Sequence, residues 1–233
     1  MVRASADVIK VVASPSMTQP GATEIQSLAA DELLAIVEEA NRLRRKVMVH
    51  AHGARAAEAA ARAGAASIEH GTALDERAVA VMAEHGTFFV PTLLTTHGAA
   101  DAQAAGIAYG PTKSDAELAE EVALHQHSVR LAIDAGIPIA MGTDCPVCPY
   151  DWALRELGYL AEAGLGAAGA LRAATFDAAR LLGIADDAGE LVPGKRADVV
   201  AVQGDPRDLT GLDERIAGVW LAGASMTGPI AGS

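Results

Sequence analysis

The amino-acid sequence predicts an α/β protein whose strands form a parallel sheet. Short runs rich in β-branched residues alternate with longer segments that carry apolar residues at helical spacing. The strand runs are apolar on both faces, which is typical of parallel sheets that are covered by helices. Glycine follows several of the helical segments, as at Gly64, Gly86 and Gly136, where a left-handed helix cap needs no Cβ atom.

Five strand–helix units follow one another along the chain. The predicted strands are residues 8–13, 46–51, 66–70, 87–93 and 137–141. The predicted helices are residues 31–45, 54–63, 75–84, 114–135 and 152–162. A helix between two strands returns the chain to the same end of the sheet, so these strands are expected to run parallel.

The C-terminal part of the chain has a different pattern. Two short helical patterns, 167–174 and 177–182, come first. They are followed by two runs, 189–202 and 216–226, that are typical of β-strands with turn residues between them. We therefore predict an α/β domain over residues 1–188 and a small β domain over residues 189–233.

Composition and charge exclude several classes of partner. The net charge of −12 argues against binding to nucleic acid or to an anionic membrane surface. Apolar runs stay shorter than the roughly 18 residues of a membrane span, and the N-terminus lacks the apolar core of a signal peptide. Two cysteines are too few for a disulfide framework. We expect a soluble, cytoplasmic protein.

Polar residues end three of the predicted strands. His50 and His52 end the second strand, His70 ends the third, and Asp144 follows the fifth. Alternation of side chains along a strand predicts that His50 and His52 share one face of the sheet, and that His70 shares its face with Ile68. Ligands and catalytic groups gather at the carboxyl ends of parallel strands.

Lys10 is the unusual residue of the first strand, because a lysine within VIKVV would be costly to bury as a cation. A single histidine at a strand end is more often a hydrogen-bonded structural residue than a ligand. Three polar strand ends and a lysine in one sheet favour a metal site, because imidazole and carboxylate are ordinary ligands of Zn²⁺ and related ions. Reaction of the lysine with CO₂ would add an anionic carbamate ligand.

The chain resembles the amidohydrolase superfamily, specifically its imidazolonepropionase-like branch that includes Xaa-Pro dipeptidases. The motifs that carry the resemblance are, in order, VIKVVAS, VHAHG, SIEHG, VPTL, GTD, ALRAAT, AARLLG and GELVPGKRADVVAV. The resemblance implies a partial (β/α)8 TIM-type barrel with strands four to eight, followed by a short β segment of the family's β-sandwich.

The resemblance also implies roles for individual residues. Lys10 matches the carboxylated lysine of strand four, His50 the ligand of strand five and His70 the ligand of strand six. Asp144 matches the ligand and general base of strand eight, and His52 matches a histidine that supports the site or contacts substrate. In the family, a metal-bound hydroxide attacks the amide carbonyl and the aspartate moves the proton to the leaving amine.

The implied activity is hydrolysis of an amide bond in a dipeptide or an N-acyl amino acid. The family's first strand carries a His-x-His pair of ligands that has no counterpart here, so we expect about one divalent ion per chain, with Zn²⁺ favoured. His125 and His127 lie two apart in a predicted helix, where side chains diverge, and indicate a solvated or half-buried helix face.

Two alternatives to an active hydrolase remain open. The chain could be catalytically silent, or it could be a subunit completed by a separate chain that carries the missing strands. Five units cannot close an eight-stranded barrel, so exposed strand edges also predict a homo-oligomer, most simply a dimer.

Several other residues have less specific interpretations. Cys145 and Cys148 form a C-x-x-C motif, for which loop cysteines at the pocket rim are favoured over a redox pair. His85 ends a helix, where it would interact with the helix dipole. Residues that could contact substrate or simply begin a helix are His97, Tyr109, Asp151, Trp152 and Arg155.

Overall fold

A four-stranded parallel sheet forms the centre of the fold in the computed structural model, which describes residues 6–107 and 110–226. The sheet order is β1-β2-β3-β4, and every neighbouring pair is parallel. The strands are β1 Val8–Val12, β2 Lys46–Gly53, β3 Ser67–Ala73 and β4 Phe88–Val90. The predicted α/β class is therefore confirmed.

Helices cover the sheet and form most of the remaining described structure. Those that follow the first three strands are α1 Ala30–Arg42, α2 Ala54–Ala63 and α3 Glu76–His85. The later helices are α4 Leu94–His97, α5 Ala99–Ala104, α6 Asp115–Asp134, α7 Arg155–Leu160, α8 Gly166–Ala174 and α9 Phe176–Leu182. Short 3-10 helices lie at Tyr150–Trp152 and Asp213–Arg215, and a π-helical turn at Ala161–Leu165.

Local sequence signals explain where several helices begin and end. The Asp75 side chain accepts a hydrogen bond from the amide of Ala78 at the start of α3. Ser114 and Glu117 form a capping box at the start of α6. Gly64 and Gly86 adopt the left-handed conformation that ends α2 and α3, as the sequence predicts.

The core is built from small aliphatic side chains, in keeping with an aromatic content of only 3%. The buried face of α2 consists of alanines, so its backbone packs closely against the sheet and the neighbouring helices. Val49, Ile68 and Phe89 are completely buried on the strands beneath. Burial of each such large side chain stabilises the fold by roughly 1.5–3 kcal/mol.

The predicted fifth strand, residues 137–141, is wrong as an extended strand. It meets β4 at one parallel bridge, in which Phe89 pairs with Ile139. The amide of Phe89 donates to the carbonyl of Pro138 at 3.0 Å, and the amide of Ala140 donates to the carbonyl of Phe89 at 3.0 Å. β4 itself ends before Pro91, which lacks an amide hydrogen and limits the length of the pairing.

The β structure of the tail is shorter than predicted. β5 Val199–Val202, β6 Ile216–Leu221 and β7 Ala224–Ser225 form an antiparallel sheet in that order. Residues 189–198 are irregular rather than a strand, because a turn at Pro193 and Gly194 interrupts the run and Gly194 has a φ of +95°. In the described ranges, no helix has the length and apolar character that crossing a membrane requires.

Gly53, at the end of β2, allows the loop between β1 and α1 to approach the sheet closely. A Cβ atom at this position would lie 1.7 Å from the carbonyl oxygen of Thr23, which is backbone and cannot rotate away. We expect Gly53→Ala to lower the free energy of unfolding by about 1–3 kcal/mol in urea denaturation.

Gly158→Ala is the matched control for this substitution. Gly158 lies inside α7, and nothing stands within 4 Å of the added methyl group. Alanine there should leave stability unchanged or raise it by roughly 0.5–1 kcal/mol. Equal effects of the two substitutions would show that the loop does not depend on the close approach at Gly53.

Candidate metal centre

Three histidine side chains converge where the parallel strands β2 and β3 end. The ring centroids of His50 and His52 are 4.6 Å apart, those of His50 and His70 are 4.5 Å apart, and those of His52 and His70 are 4.9 Å apart. One nitrogen from each of the three rings can be chosen so that all lie within 4.8 Å of one another. This spacing allows all three rings to reach one ion placed between them.

Two of these histidines lie on β2, whose pairing with β3 shifts in register only after Ala51. His50 and His52 are two residues apart on a strand, so their side chains project to the same side, as the sequence predicts. His52 is 6% exposed, whereas His50 is half-buried nearer the opening. The amide of His52 donates to the hydroxyl of buried Ser14 at 3.0 Å, which ties the β1–α1 loop to the site.

His70 reaches the cluster by a different route, and the predicted sharing of a face between Ile68 and His70 is wrong. In the sheet register, His70 pairs with Ala51, which is fully buried on the other face, and Glu69 pairs with His50. Ile68 is buried in the hydrophobic core beside Val49. His70 has a φ of +72°, and this break in the strand alternation redirects its ring toward His50.

Threonine hydroxyl groups hold the rings of the two buried histidines. Nδ1 of His52 is hydrogen-bonded to Oγ1 of Thr72 at 2.9 Å, and Nδ1 of His70 to Oγ1 of Thr92 at 2.8 Å. In the described ranges, no protein group is hydrogen-bonded to Nε2 of either ring. Fixing one ring nitrogen while the other faces the site is the usual arrangement of metal-binding histidines.

Burial keeps the imidazoles neutral. Desolvation, followed by the repulsion of neighbouring His50, lowers the pKa of His52 to about 3. Desolvation also lowers the pKa of His70 well below its ordinary value and lowers the pKa of His50. Neutral imidazole has a free lone pair, which a metal ion requires, so the donor set fits a divalent cation.

Lys10 and Asp144 lie beside the cluster but are exposed to solvent, and the prediction of a buried lysine is wrong. β1 is an edge strand, and the face of it that carries Lys10 and Val12 is exposed. Partial desolvation lowers the pKa of Lys10 and raises the pKa of Asp144, and their opposite charges counteract both shifts. Because both side chains are exposed, these shifts are small in energy.

Glu69 is a buried acid that the sequence reasoning passed over. It is 5% exposed, and its carboxylate accepts a hydrogen bond from the Ser67 hydroxyl at 2.5 Å. Burial raises its pKa, while the Ser67 hydrogen bond and the charge of Lys10 lower it. The signal was available in the sequence, since Glu69 is a carboxylate between Ile68 and His70 in a predicted strand of the sheet.

Backbone strain is concentrated at the same place. His70, Thr92 and Asp144 all have φ values in the left-handed region, at +72°, +54° and +55°. Each costs of order 1–3 kcal/mol for a residue other than glycine, and such residues cluster at functional sites. Thr92 is β-branched, for which this conformation is a genuine outlier.

A pocket lies over the histidines and is also lined by Asp144. The loop before α1 and the helices α4, α5 and α6 supply its walls, which include Thr18, Thr95, Ala102, Lys113, Leu118 and Glu121. Lys113 and Glu121 form an ion pair and are both half-buried. The pocket therefore combines apolar walls with one ion pair in its lining.

His125 and His127 differ from each other in environment. His125 is fully buried, so the expectation of a solvated or half-buried face is wrong for this residue, whereas His127 is exposed. Nε2 of His125 lies 2.8 Å from the carbonyl oxygen of His70, and its Nδ1 lies 3.0 Å from Oγ1 of Thr96. The burial of His125 was not predicted because the pattern of α6 does not show which of its residues face β3.

The remaining candidates lie away from the histidine cluster. His97 packs on Tyr159 and bonds to Gln126, and Arg155 stacks over Trp152 and pairs with Asp101. Asp151 and Trp152 begin a 3-10 helix, and His85 is exposed at the end of α3. Tyr109 lies outside the described residues.

The two cysteines are free thiols in the loop that follows Asp144. Cys148 is buried and lines the pocket, with its thiol directed to the carbonyl of Leu94 at 3.5 Å. Cys145 is half-buried, and its thiol lies 3.6 Å from the carbonyl of Pro149. Burial raises the pKa of Cys148, which opposes formation of a reactive thiolate.

Glu156 contacts the backbone of the segment that connects β4 to α4. Its side chain is completely buried and accepts hydrogen bonds from the amides of Leu93 and Leu94 at 2.9 and 2.6 Å. Burial raises its pKa to about 8, although the two amide hydrogen bonds counteract this. Glu156 lies on α7, and nothing in the local sequence pattern distinguishes it from a solvated glutamate.

Comparison with known proteins identifies relatives along the whole chain. The sequence profile of the amidohydrolase family matches residues 1–231. Ochratoxinase from Aspergillus niger is 33% identical over 98% of this chain and 48% of its own length. An imidazolonepropionase from Geobacillus kaustophilus is 43% identical over 30% of this chain and 18% of its own length.

Solved structures give the same relationship. A Xaa-Pro dipeptidase with methionine bound in its active site superposes with a TM-score of 0.86 at 32% identity, over 97% of this chain and 56% of that one. A prolidase complexed with N-methylphosphonate-L-proline gives a TM-score of 0.88 at 31% identity, over 98% and 56%. The chain thus spans about half the length of ochratoxinase and of these solved structures.

The buried carboxyl of Glu156 predicts a pH dependence of stability. Its pKa is raised in the folded state from 4.5 to about 8, so its stabilising contribution is present at acidic pH and declines as the pH rises through about 8. The free energy of unfolding of the wild type, measured relative to Glu156→Gln, should therefore fall between these two pH values. Urea denaturation over this range provides the measurement.

Exposed Glu162 offers the matched control, since Glu162→Gln also removes one carboxylate near the end of α7. That substitution should reproduce the wild-type profile. The prediction would be contradicted if the free energy of unfolding of the wild type, measured relative to Glu156→Gln, rose with pH. In that case the two amide hydrogen bonds would outweigh the cost of burying the charge.

Proposed function

The chain belongs to the amidohydrolase family, and from that premise we propose that it is a metal-dependent hydrolase of amide bonds in dipeptides or N-acyl amino acids. The observation that carries the proposal is the cluster of His50, His52 and His70, whose rings are neutral and partly fixed by threonine hydroxyls. The substrate class is supported by the relatives, which include a Xaa-Pro dipeptidase and a prolidase.

We propose further that the parallel sheet corresponds to strands four to eight of a TIM-type barrel. The order β1-β2-β3-β4 is sequential and parallel, and the segment around Ile139 continues it at the β4 edge. In this arrangement residues 1–188 belong to the barrel and residues 189–233 to a separate β domain. The histidines then lie at the carboxyl ends of barrel strands, where such folds carry their active sites.

The three clustered histidines would hold one divalent cation, of which Zn²⁺ suits imidazole ligands best. From the family resemblance we propose two further ligands of the cation. These are the carboxylate of Asp144 and a carbamate formed on Lys10. When bound, the cation supplies Lewis-acid polarisation of the amide carbonyl and a nucleophile at neutral pH.

The remaining steps belong to groups of this chain. Asp144 lines the same pocket as the histidines, and its carboxylate would accept the proton of the attacking nucleophile and return it to the leaving amine. His52 would support the site by holding the cation through the nitrogen that Thr72 leaves free. The apolar wall formed by Ala102 and Leu118 would hold a side chain of the substrate.

Hydrolysis of Met-Pro and of N-acetylmethionine with added Zn²⁺ tests the proposal. We expect slow turnover, because the open face beside Lys10 leaves the substrate in contact with water. Asp144→Asn should lower the rate by roughly 10²–10⁴-fold, since it removes the base. His127→Asn is the control, because His127 is exposed on α6 and should leave the rate unchanged.

Two outcomes would contradict the proposal. Turnover that survives both chelation and Asp144→Asn would place the chemistry elsewhere. Absence of turnover in every assembled state, with metal bound, would favour the catalytically silent alternative.

The free edge of β1 predicts association with another polypeptide, most simply a second copy of this chain. Val12 is 56% exposed on this edge strand, and the face that carries it also carries exposed Lys10. Exposed edges and apolar faces promote pairing. We expect a dimer in native mass measurement at micromolar concentration, and a shift toward monomer in Val12→Asp.

Val200→Asp is the matched control, because Val200 is equally exposed at 56% but lies on β5 of the other sheet. This substitution should leave the dimer intact. A monomeric wild type, or equal dissociation by both substitutions, would show that the β1 edge does not mediate assembly. Dimerisation only when a chain with strands one to three is added would support completion by a separate subunit.

A further inference from the structure

We infer that His125 is a positioning residue that holds the backbone of His70 in the conformation that turns its imidazole into the site. The inference deepens the proposed function, because it concerns how one ligand of the histidine cluster is oriented. It stands on the contacts between α6 and the end of β3.

The contact between the two histidines has a defined direction. Nε2 of His125 lies 2.8 Å from the carbonyl oxygen of His70, and a carbonyl only accepts, so Nε2 carries the hydrogen and donates. In the neutral ring Nδ1 then carries no hydrogen and lies 3.0 Å from Oγ1 of Thr96, whose hydroxyl is also 3.1 Å from the carbonyl oxygen of Leu93. His125 is fully buried, so water cannot replace either partner.

The carbonyl group that His125 contacts belongs to His70, one of the residues with a strained backbone. His70 has a φ of +72°, whereas regular pairing with Ala51 would direct its side chain into the core. A change of this peptide's orientation would move the His70 ring away from His50 and break its bond to Thr92. A buried hydrogen bond to the carbonyl therefore opposes relaxation of the backbone.

Ser128, one turn further along α6, holds the same strand end. Its hydroxyl donates to the carbonyl of Thr72 at 3.0 Å and accepts from the amide of Leu74 at 2.8 Å. With His125 it forms an i,i+3 pair on the buried face of α6. α6 thus fixes the backbone on both sides of Gly71, and His125 acts on the residue that carries the ligand.

Two substitutions separate the two hydrogen bonds of His125. Glutamine places an amide nitrogen near the position of Nε2 and can still donate to the His70 carbonyl, whereas leucine cannot. Val129→Ala is the structural control, because Val129 is fully buried on the same helix and belongs to the hydrophobic core. It should destabilise the protein without altering the His70 carbonyl.

The first measurement is Co²⁺ affinity by titration of the full chain, followed through the visible absorption of the bound ion. We expect His125→Leu to weaken binding by about 10–100-fold, as loss of a supporting partner of a metal ligand does. His125→Gln should restore affinity to within about threefold, and Val129→Ala should match the wild type. Equal affinity of wild type and His125→Leu would overturn the inference.

The second measurement needs no metal and therefore separates this inference from the proposed function. The imidazole resonances of His70, recorded by NMR of the metal-free protein with ¹⁵N-labelled histidine, report the bond to Thr92. Relative to the wild type, these resonances should shift in His125→Leu. They should keep their wild-type positions in His125→Gln and in Val129→Ala. Failure of the wild type to bind Co²⁺ would contradict the proposed function alone, whereas unshifted His70 resonances in His125→Leu would overturn the role of His125.

Discussion

The left-handed backbone of His70 is the constraint on which the candidate site depends. Without it, the regular alternation of β3 would place this imidazole in the core beside Ala51, and only two histidines would face the opening. The conformation costs of order 1–3 kcal/mol, so the surrounding structure must oppose its relaxation. The contacts around the ends of β3 and β4 perform this role.

The buried polar groups around the ends of β3 and β4 are hydrogen-bonded to one another. Thr92 holds the His70 ring, and the corner that carries Thr92 is held in turn by Glu156 through the amides of Leu93 and Leu94. His125 reaches the carbonyl of His70 from α6. A buried network of this kind rigidifies a site only when every member has a partner, and the described members do. Thr92, the second residue with a positive φ at this corner, is thereby held by its hydrogen bond to His70 and by the contacts of Glu156 with the two residues that follow it.

The sequence predicted those features that follow from local pattern. The parallel sheet, the helices between its strands and the joint placement of His50 and His52 all depend on periodicity, which is visible in one chain. The route by which His70 enters the site could not be predicted, because a positive φ at a residue other than glycine leaves no mark in composition. The exposure of Lys10 depends on what covers β1, which lies beyond any local pattern. His125 and Glu156 act across long sequence separations, so only the folded chain reveals their partners.

The metal content of the purified chain tests the central claim, that the histidine cluster is a metal centre. Elemental analysis after dialysis against Zn²⁺ should find about one ion per chain in the wild type and in His85→Ala, whose side chain is exposed on α3. His70→Ala should lose the ion, because only two of the three clustered imidazoles remain. A wild type without metal, or a His70→Ala protein that retains it, would contradict the account.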